Sequence, residues 1–237
     1  MAKKGERVKL LLDRELGGLP FRLYKLVLRR LVKQVEPYHP VSMDGKVLSK
    51  GERQCSDRWN IISNVLKQGA GTVLDLGCAE GYFVSQAAEE YGCFALGVDA
   101  DVRRLTIAQD LNVIKKNENA GFMYANITMD FLRKLPQFDV VIFLAVLHHI
   151  MYEHGVDYAR EFMKCIREKT SKALIFEMGQ SNETSMHWAA LLPDMGANPD
   201  EWIGNFLLSC GFSEAAKVAE TDAYHSSSKR GVFVARP

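Results

Sequence analysis

No apolar run in this sequence approaches the roughly 20 residues needed to cross a bilayer. The opening Met1-Ala2-Lys3-Lys4 is not followed by the apolar stretch of a secretory signal either. Cysteine is sparse and scattered: five residues, at positions 55, 78, 93, 165 and 210, form no C-x-x-C pair and no metal-ligand spacing. That pattern argues against a zinc module or a disulfide framework and fits a reducing, cytoplasmic setting. Internal repeats and low-complexity tracts are missing too, so neither a solenoid nor a disordered chain is expected. Net charge is nearly absent, at +1, yet it conceals an asymmetry. Residues 1–34 hold ten Lys or Arg against three Asp or Glu, a balance of +7, which leaves −6 for the rest. What the chain has in quantity is apolar side chains, 47% of 237 residues, enough for one α/β domain with an ordinary core.

The stretch Val73-Leu74-Asp75-Leu76-Gly77-Cys78-Ala79-Glu80-Gly81-Tyr82-Phe83 is the one the rest is organised around. A short apolar run turns on two glycines and continues into Val84-Ser85-Gln86-Ala87-Ala88, the composition of a helix. A buried strand feeding a helix through a glycine turn lets the backbone approach a ligand with no Cβ in the way. It also points free helix N–H groups at that ligand. Asp75 falls at the strand end, where open α/β sheets place ligands. A second apolar run, Phe94-Ala95-Leu96-Gly97-Val98-Asp99, ends in an acid 22 residues beyond Gly77. That offset is close to the roughly 20 residues at which a carboxylate grips a ribose diol. The G-x-G-x-x-G of a dinucleotide site is lacking, since Gly77-Cys78-Ala79-Glu80-Gly81 has no middle glycine to admit a pyrophosphate. An ordinary βα turn and a helix-capping Asp99 are the alternatives these residues leave open.

With an acid two residues before its first glycine, the D-x-G-x-x-x-G turn and Asp99 together resemble the class I S-adenosylmethionine-dependent methyltransferases, from about Thr72 to the C-terminus. The resemblance implies a Rossmann-like α/β fold. Its sheet has seven mostly parallel strands in the order 3-2-1-4-5-7-6, with helices on both faces. It implies S-adenosylmethionine as cofactor and S-adenosylhomocysteine as product. Implied cofactor contacts are Asp75, the turn residues Gly77, Cys78, Ala79 and Gly81, and Tyr82 and Phe83 where the helix opens. Asp99 and Ala100 would take the ribose, Asn126 the adenine amine and Ile127 the ring face, with Leu144 completing the wall.

The remaining strands read 121–127, the nearly unbroken apolar run from Phe138, 172–178, and a closing antiparallel pair over 212–220 and 231–236. Helices are expected over 101–116, 158–170 and 198–210. The last has Asn198 as cap, Pro199 at its first position, acids in its first turn and Gly211 as its stop. Upstream, 19–33 reads as a basic amphipathic helix with Pro20 in its first turn. Phe21, Tyr24, Leu28 and Leu31 share a face, Leu23 and Val27 lie beside them, and Arg22, Lys25, Arg29, Arg30 and Lys33 make up the remainder. Such a helix lies on an anionic membrane, contacts nucleic-acid phosphates, or packs on the domain with its cations in water. The expected division is an extension over 1–50 and a methyltransferase domain over 51–237. A helix ending near Gln68 leads into the first strand. On it Arg58, with Arg53 second, suits bidentate capture of a methionyl carboxylate, and Tyr38 suits an aromatic lid. A packing role for each stays open.

At the exit of the fourth strand stands Leu147-His148-His149-Ile150, on the sheet edge that faces substrate. His149 suits a general base on a hydroxyl, with His148 beside it and Glu177, at the next strand end, as the other candidate. The histidines alternatively orient the loop or hold the methionine end of the cofactor. A metal held by His148, His149 and His154 lacks a fourth ligand, so none is expected. Trp188 and the segment carrying Tyr224, His225, Lys229 and Arg230 suit acceptor binding, because hydroxyls and cations clamp a sugar or phosphate. A solvated hairpin tip is the alternative there. The His-His-Ile exit, Glu177, Trp188, Tyr38-His39-Pro40-Val41 and residues 53–59 are similar to the methyltransferase part of the bacterial enzymes that terminate O-antigen chains. Their kinase part has no counterpart in these 237 residues, and the basic helix lies outside that pattern. The likeness implies in-line methyl transfer to an oxygen of a small-molecule, sugar or sugar-phosphate acceptor, lipid-linked at the inner face of the membrane. Two other readings stay open. One is an RNA methyltransferase, against which the acidic remainder and the missing N/D-P-P-Y/F motif count. The other is a non-catalytic partner subunit that binds the cofactor or its product. The oligomeric state is unspecified.

Overall fold

The computed structural model describes residues 21–223 and 228–237. The chain begins with helix α1 (Phe21–Val35), broken by Pro37, and a small hairpin of β1 (Val41–Met43) and β2 (Lys46–Ser49) turning on Asp44-Gly45. Helix α2 (Ser56–Leu66) leads into β3 (Thr72–Leu76), α3 (Tyr82–Tyr91), β4 (Phe94–Asp99), α4 (Val102–Lys115) and β5 (Ala120–Tyr124). Then come α5 (Met129–Lys134), β6 (Phe138–Leu144), α6 (Leu147–His154), α7 (Val156–Lys169) and β7 (Thr170–Glu177). Helix α8 (Pro199–Ser209) and the strands β8 (Glu214–Asp222) and β9 (Lys229–Arg236) follow.

Side-chain alternation explains the sheet. Along β6, Val140 and Ile142 turn to one face and Val141 and Phe143 to the other, all buried. A strand apolar on both faces belongs in mid-sheet under helices on each side. On one face Leu74, Phe143 and Phe176 pack with Phe162 and Ile166 of α7 and Leu207 of α8. On the other, Val73, Ile142 and Ile175 pack with Ile62 and Leu66 of α2 and Val84 and Ala87 of α3. Each such large side chain contributes about 1.5–3 kcal/mol by leaving water. The strands β5-β4-β3-β6-β7 run parallel, and β9 enters antiparallel between β7 and β8. Counted from β3, this is the order 3-2-1-4-5-7-6 read from the resemblance. Among the described residues no helix is long and apolar enough to cross a membrane.

Three local expectations change. First, Leu147-His148-His149-Ile150 is not a loop but the first turn of α6. Its start carries no side-chain cap, and its apolar residues continue the strand's run, so no sequence signal separates the two. Gly155, at φ 84°, then divides α6 from α7. Second, the linker folds into the hairpin, which is short but pinned where Lys25 pairs with Asp44 at 2.6 Å. Third, the buried face of α1 is Tyr24, Leu28 and Val32. Leu28 and Val32 pack on Ile107 and Leu111 of α4 and on Val41 and Met43 of the hairpin. The Tyr24 hydroxyl donates to Asp110 of α4. Leu23 and Val27 do not join this face, and with Leu26 they remain exposed.

Two glycines with similar backbone test how the motif turn is packed. Gly81 (φ +73°) would place a Cβ 2.3 Å from the Phe122 ring, whereas Gly45 (φ +72°) has nothing within 4 Å. Both Gly→Ala changes meet the left-handed penalty of about 1 kcal/mol. Gly81→Ala additionally forces Phe122 aside, so it should cost about 2 kcal/mol more than Gly45→Ala in denaturant unfolding.

Candidate functional site

The C-terminal ends of β3, β4 and β6 open onto one cavity of about 720 Å³. At one end stand Asp99 and Ala100 from the end of β4, with Asn126 and Ile127 from the loop after β5. Next in the strand order stand Gly77 and Ala79 after β3 and Leu144 at the end of β6, and Tyr38 shares the lining. His148, His149, Trp188 and Arg230 line the far end. Twelve of the residues singled out in the sequence therefore share one space.

The turn between β3 and α3 is held by Asp99. The Ala79 N–H donates to its Oδ2 and the Asp101 N–H to its Oδ1, each at 2.8 Å. Two hydrogen bonds leave lone pairs on both oxygens for a ligand. Gly77, at φ +87°, sits against Val146, and a Cβ there would approach it to 2.6 Å. Asp75 is buried, and its Oδ2 has no hydrogen-bond partner among the described residues. Burial, and then the neighbouring charge of Asp99, push its carboxyl up to about 8.

Other motif residues turn elsewhere. Gly81 leaves room for Phe122 behind the turn, and Cys78 is buried against Gly97 of β4. Tyr82 and Phe83 meet edge to face and lie against the His39 ring. Phe83 reaches only a narrow cleft beside the main cavity, which Arg53, Arg58 and Asp75 also border. A helix opening on a glycine alternates which way its first residues face, and spacing alone does not specify that direction.

The candidates Arg58 and Glu177 satisfy each other. Glu177 is fully buried, and it accepts from Arg58 Nε and Arg53 Nη2 at 2.7 Å and from the Thr221 hydroxyl at 3.0 Å. The remaining nitrogens of Arg58 reach Thr221 Oγ1 at 2.7 Å and the Gln54 carbonyl at 3.1 Å. Burial raises the Glu177 carboxyl, but the positive charges of Arg58, Arg53 and Arg230 outweigh it and hold the group below the usual range. A carboxylate so stabilised as an anion is a weak proton acceptor, and Glu177 does not line the main cavity. Arg58, with its donors directed inward, is not a free carboxylate clamp. Arg230 forms a bidentate pair with Glu183 at 2.7 and 2.8 Å, and its Nη1 makes only a 3.6 Å ionic contact to Glu177 among the described residues.

The two histidines differ. His148 is buried, and its Nδ1 accepts from the Gly179 N–H at 3.0 Å, so the neutral ring carries its proton on Nε2. Burial first, and then His149 and Arg230, depress it far below the ordinary histidine value. His149 is exposed to the cavity, and burial followed by Arg230 lowers it more mildly. Lys229 points away and pairs with Asp222 across the hairpin. Tyr224 and His225 lie outside the described residues. Among the described residues no cluster of His, Cys, Asp or Glu is arranged for a metal, and the His154 ring lies tilted against Tyr158.

Sequence reasoning missed Glu80. Its carboxylate accepts from the backbone N–H groups of Tyr38 (3.0 Å) and His39 (2.8 Å) and from Arg104 (3.0 Å), tying residues 38–39 to the motif turn. The guanidiniums of Arg104 and Arg53 stand 5.5 and 6.0 Å from the Tyr38 ring centre. His187, next to Trp188, also lines the acceptor end. Only their position inside or beside recognised motifs hinted at these residues.

Residues 73–173 match the family model described as a methyltransferase domain. Two curated Escherichia coli proteins, each named O-antigen chain terminator bifunctional methyltransferase/kinase WbdD, are 29% identical over 150 residues, which is 60% of this chain and 21% of theirs. This chain thus spans about a fifth of the length of those relatives. A crystal structure of WbdD superposes with a TM-score of 0.73 at 24% identity, covering 88% of this chain and 46% of that one. The N-terminal domain of EvdMO1, solved in the presence of SAH and D-fucose, gives 0.66 at 17% identity over 90% of this chain and 96% of that one. At such identities the superpositions speak for the fold alone. Residues 73–173 of this chain are similar to a methyltransferase domain.

Proposed function

We propose that this domain transfers a methyl group from S-adenosylmethionine to an oxygen of a sugar acceptor. The observation that carries the reading is the continuity of the cavity. A polar end at Asp99 and Asn126 runs past the glycine turn to an end with His149, His187 and Arg230. The residues present fit the cofactor. Asp99 retains lone pairs for a ribose, Asn126 offers an amide to an adenine, and the partnerless Oδ2 of Asp75 suits an ammonium group. Once bound, S-adenosylmethionine supplies a methyl already activated on a sulfonium.

The protein's own task is then to position the acceptor and take its proton. His149 is neutral at pH 7 because its proton affinity is lowered, so its ring is able to accept a hydroxyl proton. His148 fixes the start of α6 through the Gly179 N–H and thereby the ring beside it, 4.2 Å away between centroids. Arg230 lines the same cavity and stands over the Trp188 ring at 5.7 Å. A carbohydrate, with its many oxygens and apolar ring face, suits such a wall of donors and aromatic edges. The names of the relatives support this class, since one is an O-antigen chain terminator and another was solved in the presence of D-fucose. A non-catalytic role would leave the neutral His149 at the open end of the cavity without use.

The test is transfer of labelled methyl to a panel of sugars, sugar phosphates and lipid-linked glycans. With a hydroxyl acceptor, His149→Gln should lower kcat by about 10²–10⁴ while binding of S-adenosylhomocysteine is unchanged. Because the base must be deprotonated and its pKa is lowered, the wild-type rate should fall with acid along a titration whose midpoint lies below that of an ordinary histidine. An unaltered rate in His149→Gln would point to an acceptor oxygen that is already anionic. No transfer across the panel, with S-adenosylhomocysteine still bound, would defeat the reading.

Asp75→Asn separates binding from stability. The folded carboxyl sits at about 8 against an ordinary 3.8, so wild type loses stability as pH rises from 3.8 to 8. The amide has no such dependence. Asp75→Asn should therefore unfold at a higher temperature than wild type, by a margin that widens from pH 5 to pH 8. Its affinity for S-adenosylhomocysteine should fall by roughly tenfold, the loss of one charge-assisted hydrogen bond. Calorimetry and thermal melts over that pH range check both.

A further inference from the structure

Helix α1 has two apolar faces, and among the described residues only one is covered. Tyr24, Leu28 and Val32 are buried on α4 and the hairpin, which fixes the rotation of the helix about its axis. On the opposite side Leu23, Leu26 and Val27 are 41%, 56% and 55% exposed. Exposed Arg22, Arg30 and Lys33 share that side. At 3.6 residues per turn, positions 22, 26, 30 and 33 fall along one stripe, with 23 and 27 beside it. Three leucine or valine side chains interleaved with three cations thus form a continuous outward face. Lys25, by contrast, is turned to Asp44 in the hairpin.

We propose that this face of α1 seats the protein on an anionic lipid surface, with Leu23, Leu26 and Val27 entering the headgroup boundary and Arg22, Arg30 and Lys33 meeting lipid phosphates. An interfacial helix requires both components, an apolar strip in plane and cations flanking it. A nucleic-acid backbone would use the cations but gains nothing from exposed leucines, and the chain beyond residue 34 carries −6, which repels a polyanion. A second copy of the chain docked face to face about a two-fold axis would set the two basic stripes against each other. Residues 1–20 are themselves net positive, with five Lys or Arg and three Asp or Glu, and offer the stripe no complementary charge. The inference is independent of which acceptor is methylated.

Co-sedimentation of the full chain with vesicles tests it. Wild type should pellet with vesicles of equal parts phosphatidylcholine and phosphatidylglycerol, and stay in solution with phosphatidylcholine alone. Each of Arg22→Gln, Arg30→Gln and Lys33→Gln should weaken binding roughly fivefold, and added salt should weaken it further. The double change Leu26→Glu with Val27→Glu should abolish pelleting while thermal unfolding stays as in wild type, since both side chains are exposed. Failure of wild type to bind the anionic vesicles overturns the proposal. So does undiminished binding by the double variant, which would assign attraction to residues 1–20 alone. A dimer in sedimentation velocity that the double variant dissolves, or salt-steep RNA binding without vesicle binding, overturns it in favour of those partners.

Discussion

Burial of the Glu177 carboxylate is the constraint around which the rest of the site closes. A charge at 0% exposure is tolerable only when cations and hydrogen-bond donors surround it. Arg53 and Arg58 come from the segment before β3, Thr221 from β8 and Arg230 from β9. One side chain at the end of β7 therefore joins the N-terminal segment, the central sheet and the closing hairpin. With Glu183 included, three guanidiniums face two carboxylates, so the cluster keeps one unit of positive charge. That excess borders both the main cavity, through Arg230, and the narrow cleft, through Arg53 and Arg58. It disposes this end of the site toward anionic or oxygen-rich groups.

The opposite tendency rules the glycine turn. Asp75 and Asp99 face one another's field, and burial leaves Asp75 with a proton to lose only near pH 8. Such a group destabilises the empty domain in the physiological range, in the way functional sites often do. Arg230 and Asp99 both line the main cavity, so its wall offers groups of either sign to a ligand.

The strands and the sheet edge that gathers Asp99, Asn126, Ile127 and the two histidines were legible in the sequence, and the strand order followed from the family resemblance. Alternation and unbroken apolar runs mark strands such as β6, and an acid after each of the first two marks the sheet edge that receives ligands. Asp99, Asn126 and Ile127 fall where that rule places them. Side-chain partnership was not legible. Nothing in the spacing says that Arg58 meets Glu177 across 119 positions rather than facing a ligand. The same holds for Gly81, which matched a motif glycine yet serves the packing of Phe122. The helical turn at His148 was hidden because apolar residues run without a break from strand to helix. The rotation of α1 shifted for a related reason: with apolar residues on two sides, pattern alone does not choose which side the domain takes.

The grip of Glu80 on the backbone of Tyr38 and His39 makes residues 37–53 a strap across the narrow cleft. Its near end follows directly from α1 and its far end holds Arg53, so the strap is tethered at both sides. Any widening of the cleft at Tyr38 and His39 has to break those two backbone hydrogen bonds, so the shape of the cleft is set from inside the motif turn itself.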